Sequence, residues 1–194
     1  MYEIKNILGI FATVLVFIGY IPYLRDIIKR KAKPHIYSWF LWSFVTLIAF
    51  ALQFSDGAGS GSFVTLAAAL MCIVVIVLGI IYKSQVKIVW IDTVFMILAF
   101  VALGLWLITK QPLMSAILTT IIDLLGFAPT VRKSWNKPYS ETLTFYYLNT
   151  FRFGLAVIAL QKYSIITALY PITWLTANSL FALMLVIRRK QIIK

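Results

Sequence analysis

Two oppositely charged residues, Asp123 and Arg152, lie inside long apolar runs of this chain. An ionisable group in hydrocarbon costs about 2.5–3.5 kcal/mol on insertion scales, so such residues mark binding, proton transfer or helix pairing. Counting helix rise along each run puts both near its middle. Asn149 lies one helical turn from Arg152 on the same face, and Trp174 and Asn178 share a face in the last run. Asp123, Asn149, Arg152, Trp174 and Asn178 are therefore the candidate substrate-binding or coupling residues, expected as one polar layer. Asp123 would hold a proton or a cationic group, Arg152 an anionic group, and Trp174 would give a stacking face. The competing reading is a permanent Asp123–Arg152 bridge that fastens two helices. Asp92, one turn into its own run, instead complements a helix N-terminal dipole, with Lys87 or Lys83 as partner.

Other chemistry finds little to work with. There is one cysteine, Cys72, and one histidine, His35, so neither an intrachain disulfide nor a Cys or His metal cluster can form. Cys72 reads as a small packing residue. Gly57, Gly59 and Gly61 follow no strand, which makes a phosphate loop a poor match, and no nucleophile–base set appears. The expectation is no enzyme, no catalytic residue, no metal and no cofactor.

The elements that would position the polar layer are seven apolar stretches: 7–24, 36–54, 63–82, 88–108, 112–131, 143–160 and 165–187. Each approaches the length a helix needs to cross about 30 Å of hydrocarbon. Backbone groups in lipid must be satisfied within their own segment, which selects helices. Of the 194 residues 62% are hydrophobic and only 12% charged, about half the charge of a soluble domain. The expected class is an all-α integral membrane protein with seven transmembrane helices. The first stretch lacks a small-x-small cleavage site and reads as a retained helix. Residues 55–61 read as a flexible polar turn.

The net charge is +12, an excess that in a soluble chain would raise nucleic acid as a partner. Here the basic residues flank apolar runs as topological anchors, so nucleic acid is not expected. Arg25, Lys29, Arg30, Lys31, Lys33, Lys83, Lys87, Arg132, Lys133, Lys137, Arg188, Arg189, Lys190 and Lys194 fall on one side if every run crosses, against Lys5, Lys110 and Lys162 on the other. That bias places the chain as multi-pass in the cell membrane, with the N-terminus outside and the C-terminus cytoplasmic. The basic 25–35 loop can also meet anionic lipid headgroups. His35, at the membrane surface, leaves a pH-sensing role open.

The sequence also repeats. Gly19-Tyr20-Ile21-Pro22-Tyr23-Leu24-Arg25 resembles Gly126-Phe127-Ala128-Pro129-Thr130-Val131-Arg132 at an offset of 107 residues. Lys33-Pro34 then aligns with Lys137-Pro138. Helices one to three match five to seven, and an odd linker gives both triplets the same orientation: a parallel 3+1+3 repeat of triple-helix bundles. The units are 1–87, a linker helix 88–109, and 110–194. Proline removes an amide donor, so Pro22 and Pro129 are the expected paired hinges; the plainer reading is that each ends its helix. At the aligned positions the first unit has Val16 for Asp123, Ile48 or a neighbour for Arg152, and Met71 for Asn178. It is aromatic through Trp39, Trp42 and Phe44, so one unit is expected to supply a wall and the other the chemistry.

This layout, with its paired Gly-x-x-Pro and basic loop, resembles the PQ-loop superfamily, which includes the SWEET-like transporters. The residue after proline is Tyr23 in one unit and Thr130 in the other, where that family carries glutamine. The resemblance covers nearly the whole chain. It implies a membrane transporter of a small polar solute, such as a sugar, an amino acid or a related metabolite, working by alternating access. It leaves proton coupling through Asp123 as a sub-reading. The alternatives are a non-transporting receptor or scaffold of the same fold, or an ion channel. The partners expected are membrane lipids, the solute and, with coupling, protons; oligomeric state stays open.

Overall fold

Every described segment of regular structure is helical. The computed structural model describes residues 2–30, 34, 36–83, 90–109, 111–136, 138–141 and 143–192. Lys31, Lys33, His35, Lys87, Lys110, Lys137 and Lys194, singled out above, lie outside them, as do the side chains of Asp92, Pro129, Arg132 and Lys133. The α-helices are α1 (Tyr2–Ile28), α2 (Ile36–Ser55), α3 (Phe63–Ile81), α4 (Trp90–Thr109), α5 (Pro112–Asn136), α6 (Leu143–Ala159) and α7 (Ile165–Gln191). Short 3-10 turns, Gly59–Ser62 and Pro138–Ser140, precede α3 and α6.

The distribution of polarity is inverted relative to a soluble domain. Along α1, Ile4, Ile7, Ile10, Phe11, Phe17 and Ile21 are exposed, as are Ile80 and Ile81 on α3 and Leu180 and Leu183 on α7. Inside lie Thr46, Gln53, Thr65, Thr119, Asp123, Asn149, Arg152 and Asn178, none more than 6% exposed. Water would penalise that outer surface, and hydrocarbon accepts it. Among the described residues, three helical segments are long and apolar enough to cross a membrane: Glu3–Ile28, Gly59–Ile81 and Ile165–Gln191. Trp39–Ser55 and Pro112–Phe127 are shorter apolar helical runs. These apolar helices are those of a membrane-embedded protein.

Several helices outrun the apolar stretches that announce them. α1 begins at Tyr2 and α7 continues to Gln191, because a helix end outside hydrocarbon still closes its own hydrogen bonds and tolerates Glu3, Lys5 or Arg188. α1 also passes through Pro22 and runs on to Ile28, so Pro22 does not end its helix. α5 likewise spans position 129 and reaches Asn136.

Packing follows a pattern. α3 lies against both α1 and α2; α7 lies against both α5 and α6. Between these groups α1 meets α6 and α2 meets α5, while α4 packs on α5 and α2. The core joining α1 to α3 is built from Ala12, Val16, Tyr20, Ala67, Ala68, Met71 and Val75. The core joining α5, α6 and α7 is larger-grained, with Phe127, Tyr146, Phe181 and Leu185.

At one end of the bundle the start of α1, the α2–α3 connection and the α6–α7 connection are tied together. Lys5 Nζ donates to the Leu160 carbonyl at 2.6 Å, and Gln161 Nε2 to Asn6 Oδ1 at 2.9 Å. Lys162 Nζ meets Asp56 Oδ1 at 2.8 Å, and the Ser164 hydroxyl donates to Asp56 Oδ2. Ser164 also caps α7 in a reciprocal box with Thr167, satisfying orphan amides of the first turn. The 55–61 segment is therefore not the flexible turn its composition suggests. Ser60, Gly61 and Ser62 are buried, and a Cβ on Gly61 would stand 2.9 Å from the Ala156 carbonyl oxygen. Glycine here permits close approach rather than freedom.

The other end gathers basic residues. Arg188 Nε donates to the Trp135 carbonyl at 2.9 Å, and Arg189 donates to the carbonyls of Pro138 and Glu141. The Tyr139 hydroxyl returns a bond to the Arg189 carbonyl at 3.2 Å.

Candidate functional site

The polar residues of α5, α6 and α7 assemble around two centres rather than one ion pair. Asp123, 3% exposed, points from α5 toward α7. Its Oδ2 accepts from the Tyr170 hydroxyl and from Trp174 Nε1, each at 2.8 Å. Tyr170 and Trp174 are four residues apart, so one face of α7 presents both donors to one carboxyl oxygen. The Tyr170 oxygen in turn lies 3.2 Å from the Thr46 hydroxyl on α2. Since Tyr170 gives its proton to Asp123, Thr46 is the donor there, and the chain of bonds runs α2 to α7 to α5.

Arg152, 5% exposed, forms the second centre. Its Nε donates to Asn149 Oδ1 at 2.7 Å, one turn back on α6. The guanidinium carbon sits 4.5 Å from the centroid of the Phe153 ring, a cation–π arrangement that replaces part of the lost hydration. Phe153 stacks on Trp174, with ring centroids 6.4 Å apart and planes at 18°. Arg152 and Asp123 are thus joined through two aromatic rings. The competing reading, a permanent Asp123–Arg152 bridge, is not what these two described residues form: each charge is held by closer partners of its own. Arg152 Nη1 is buried with no hydrogen-bond partner.

Of the five residues expected in one layer, Asp123 joins Trp174, and Arg152 joins Asn149. Asn178 is buried but spends its Nδ2 on the Trp174 carbonyl at 2.7 Å. It braces the helix that carries the site. Tyr170, Thr46 and Tyr20 escaped the sequence reading. Tyr170 was detectable as the residue one turn before Trp174 on the same face. Tyr20 comes from α1, and its hydroxyl lies 3.9 Å from Cys72 Sγ on α3. Tyr20 packs edge-on against Phe145 of α6, ring centroids 5.9 Å apart, and shares a core cluster with Ala156. Phe145, Asn149, Arg152 and Ala156 lie on one face of α6, so that face is turned toward α1.

Pro171, next to Tyr170, lies inside α7. It removes an amide from the very turn that presents the donors. Pro22, by contrast, is on an exposed face of α1, while its neighbour Tyr23 stacks on Trp39 at 5.3 Å. Beside Tyr170 a crevice of about 160 Å³, too narrow to seat a water molecule, runs between Ala49, Leu52, Ala116, Thr119, Thr120 and Ile166. Comparison with protein-family models, curated proteins and solved structures gives no match to this chain.

Proposed function

We propose that this protein is a membrane transporter of a small polar solute working by alternating access. The observation that carries the reading is a pair of buried, opposite charges, Asp123 and Arg152, each held by its own partners and left unneutralised by the other. A chain that needed only to fasten helices would gain more by pairing them, because an isolated buried charge is costly.

The proposed architecture is seven spans in a 3+1+3 arrangement: residues 1–87, a linker helix over 88–109, and 110–194. Packing supports it. α3 is flanked by α1 and α2 as α7 is flanked by α5 and α6, and the cross-contacts α1–α6 and α2–α5 are interchanged by the same twofold operation. The resemblance to the PQ-loop and SWEET-like transporters points the same way. The N-terminus is assigned outside and the C-terminus to the cytoplasm, on the side-to-side bias of basic residues. Pro22, Pro129 and Pro171 are the positions where helices can bend as the halves rock.

Reconstitution into proteoliposomes tests this. Flux of at least one solute from a panel of sugars, amino acids and carboxylates is expected, and Asp123→Asn is expected to lose any acceleration by a proton gradient. Background flux for the whole panel would favour a receptor or scaffold. Conductance in a planar bilayer far above carrier turnover would favour a channel.

A further inference from the structure

The donors around Arg152 outnumber their acceptors. Nε is used by Asn149, but Nη1 has no partner although it is buried. Across from it, on α1, the Tyr20 hydroxyl has only a sulfur at 3.9 Å, and sulfur is a weak acceptor. Tyr20 is itself only 6% exposed. The buried carboxylate Asp123 is already committed to Tyr170 and Trp174. Two under-used donors, one of them cationic, thus lie along the α1–α6 contact, where Tyr20 packs on Phe145 and Ala156 of the face that carries Arg152; α1 and α6 belong to opposite halves of the proposed arrangement. A buried donor without an acceptor costs about 1–3 kcal/mol, more when charged. An acceptor delivered by a ligand removes that cost.

We propose that Arg152 Nη1 and the Tyr20 hydroxyl receive the carboxylate of a small monocarboxylate solute. This rests on the transporter reading and names its substrate class. Charge selects a monoanion. One negative charge neutralises Arg152 in a low-dielectric site, whereas a phosphate dianion would leave an excess negative charge with Asp123 nearby. Geometry selects a carboxylate over a halide, because two oxygens can serve a guanidinium nitrogen and a phenol together. Both halves contribute a donor, so binding draws α1 toward α6.

The test is a thermal-shift titration of the full chain in detergent, with sodium lactate and sodium acetate as carboxylate probes. Sodium chloride, sodium phosphate and glucose are the comparators. Lactate or acetate is expected to raise the melting temperature in a saturable way that the comparators do not reproduce. Tyr20→Phe, which removes one oxygen and keeps the ring, is expected to weaken that binding about tenfold, and Arg152→Gln to abolish it. Should Arg152→Gln fail to fold, the Tyr20→Phe titration decides alone. Equal shifts with chloride, a glucose shift with no carboxylate shift, or Tyr20→Phe matching wild type would overturn the proposal and leave transport intact. Flux at background for every class would instead remove the transporter reading beneath it.

Discussion

α3 and α7 hold the same place in their respective neighbourhoods, each lying between two flanking helices, yet they are built from opposite materials. α3 buries Ala67, Ala68, Ala69, Met71, Cys72 and Val75. α7 buries Tyr170, Pro171, Asn178 and Phe181 and adds the half-buried Trp174. The mostly small, apolar face of α3 lets α1 and α2 approach closely, and among the described residues its one strong polar tie is Thr65 Oγ1 donating to Gln53 Oε1 of α2 at 3.0 Å. The face of α7 is occupied with supplying them to Asp123. The difference teaches that one packing scheme can carry two duties: one side of the molecule is kept smooth while the other concentrates its polar groups.

The largest expected effect comes from the charged side of that contrast. Asp123→Ala strips the acceptor from both Tyr170 and Trp174, leaving two buried donors and a cavity. A loss of about 3 kcal/mol in unfolding free energy is expected, with flux reduced to background. Val16→Ala, at the aligned position of α1, should cost only about 1 kcal/mol and leave flux measurable. Denaturant titration of both variants in one detergent makes the comparison. Equal losses would break it.

Next in size is Gly61→Leu, which drives a side chain into the Ala156 carbonyl and Leu160. About 2–3 kcal/mol of destabilisation is expected by thermal unfolding, although the residue touches neither charge. Met71→Asn sharpens the contrast further. It puts an amide into the smooth face of α3 with no partner provided, and about 1–3 kcal/mol should be lost.

The smallest effect belongs to Asp56. The hydrogen bond from Lys162, then that from Ser164, holds its carboxyl below its ordinary value of 3.8. A carboxyl with a depressed folded-state pKa contributes stability above its unfolded value and loses it as pH falls through the folded one. The tie between the α2–α3 and α6–α7 connections should therefore be unchanged from about pH 7 to about pH 5 and weaken only below about 3.8. Lys162 is largely exposed, so solvent screening keeps the cost of Asp56→Asn below about 1 kcal/mol. Melting curves of wild type and variant across that range check it.

Much of the scaffold is legible in the sequence, for a physical reason. Hydrocarbon forces each span to be an unbroken apolar helix, so a run such as 63–82 announces α3 to within one residue. Helix ends beyond the apolar run, as at Tyr2 and Gln191, carry no such signature. Asp123 and Arg152 stood out because charge is rare in these runs. Their partners did not, since Tyr170 and Tyr20 look like any aromatic residue in an apolar stretch, and only tertiary placement turns them toward the charges. The same limit misread residues 55–61. Glycine and serine suggest mobility until the neighbouring helix is known, and here the neighbour is α6, packed tightly enough to need them.

Alternating access, as proposed, requires the two proposed units to part along the α1–α6 contact that carries Tyr20 and Arg152. Cys72 is the sole cysteine and is 5% exposed on α3, beside the Tyr20 hydroxyl that faces the α1–α6 contact, so its reactivity reports on opening there without background. Right-side-out and inside-out vesicles would each be treated with a small, membrane-impermeant thiol reagent, with and without transported solute. Modification of Cys72 from both sides, at rates that solute alters in opposite directions, is the expected result. A Cys72 that reacts from neither side while flux proceeds would contradict the account.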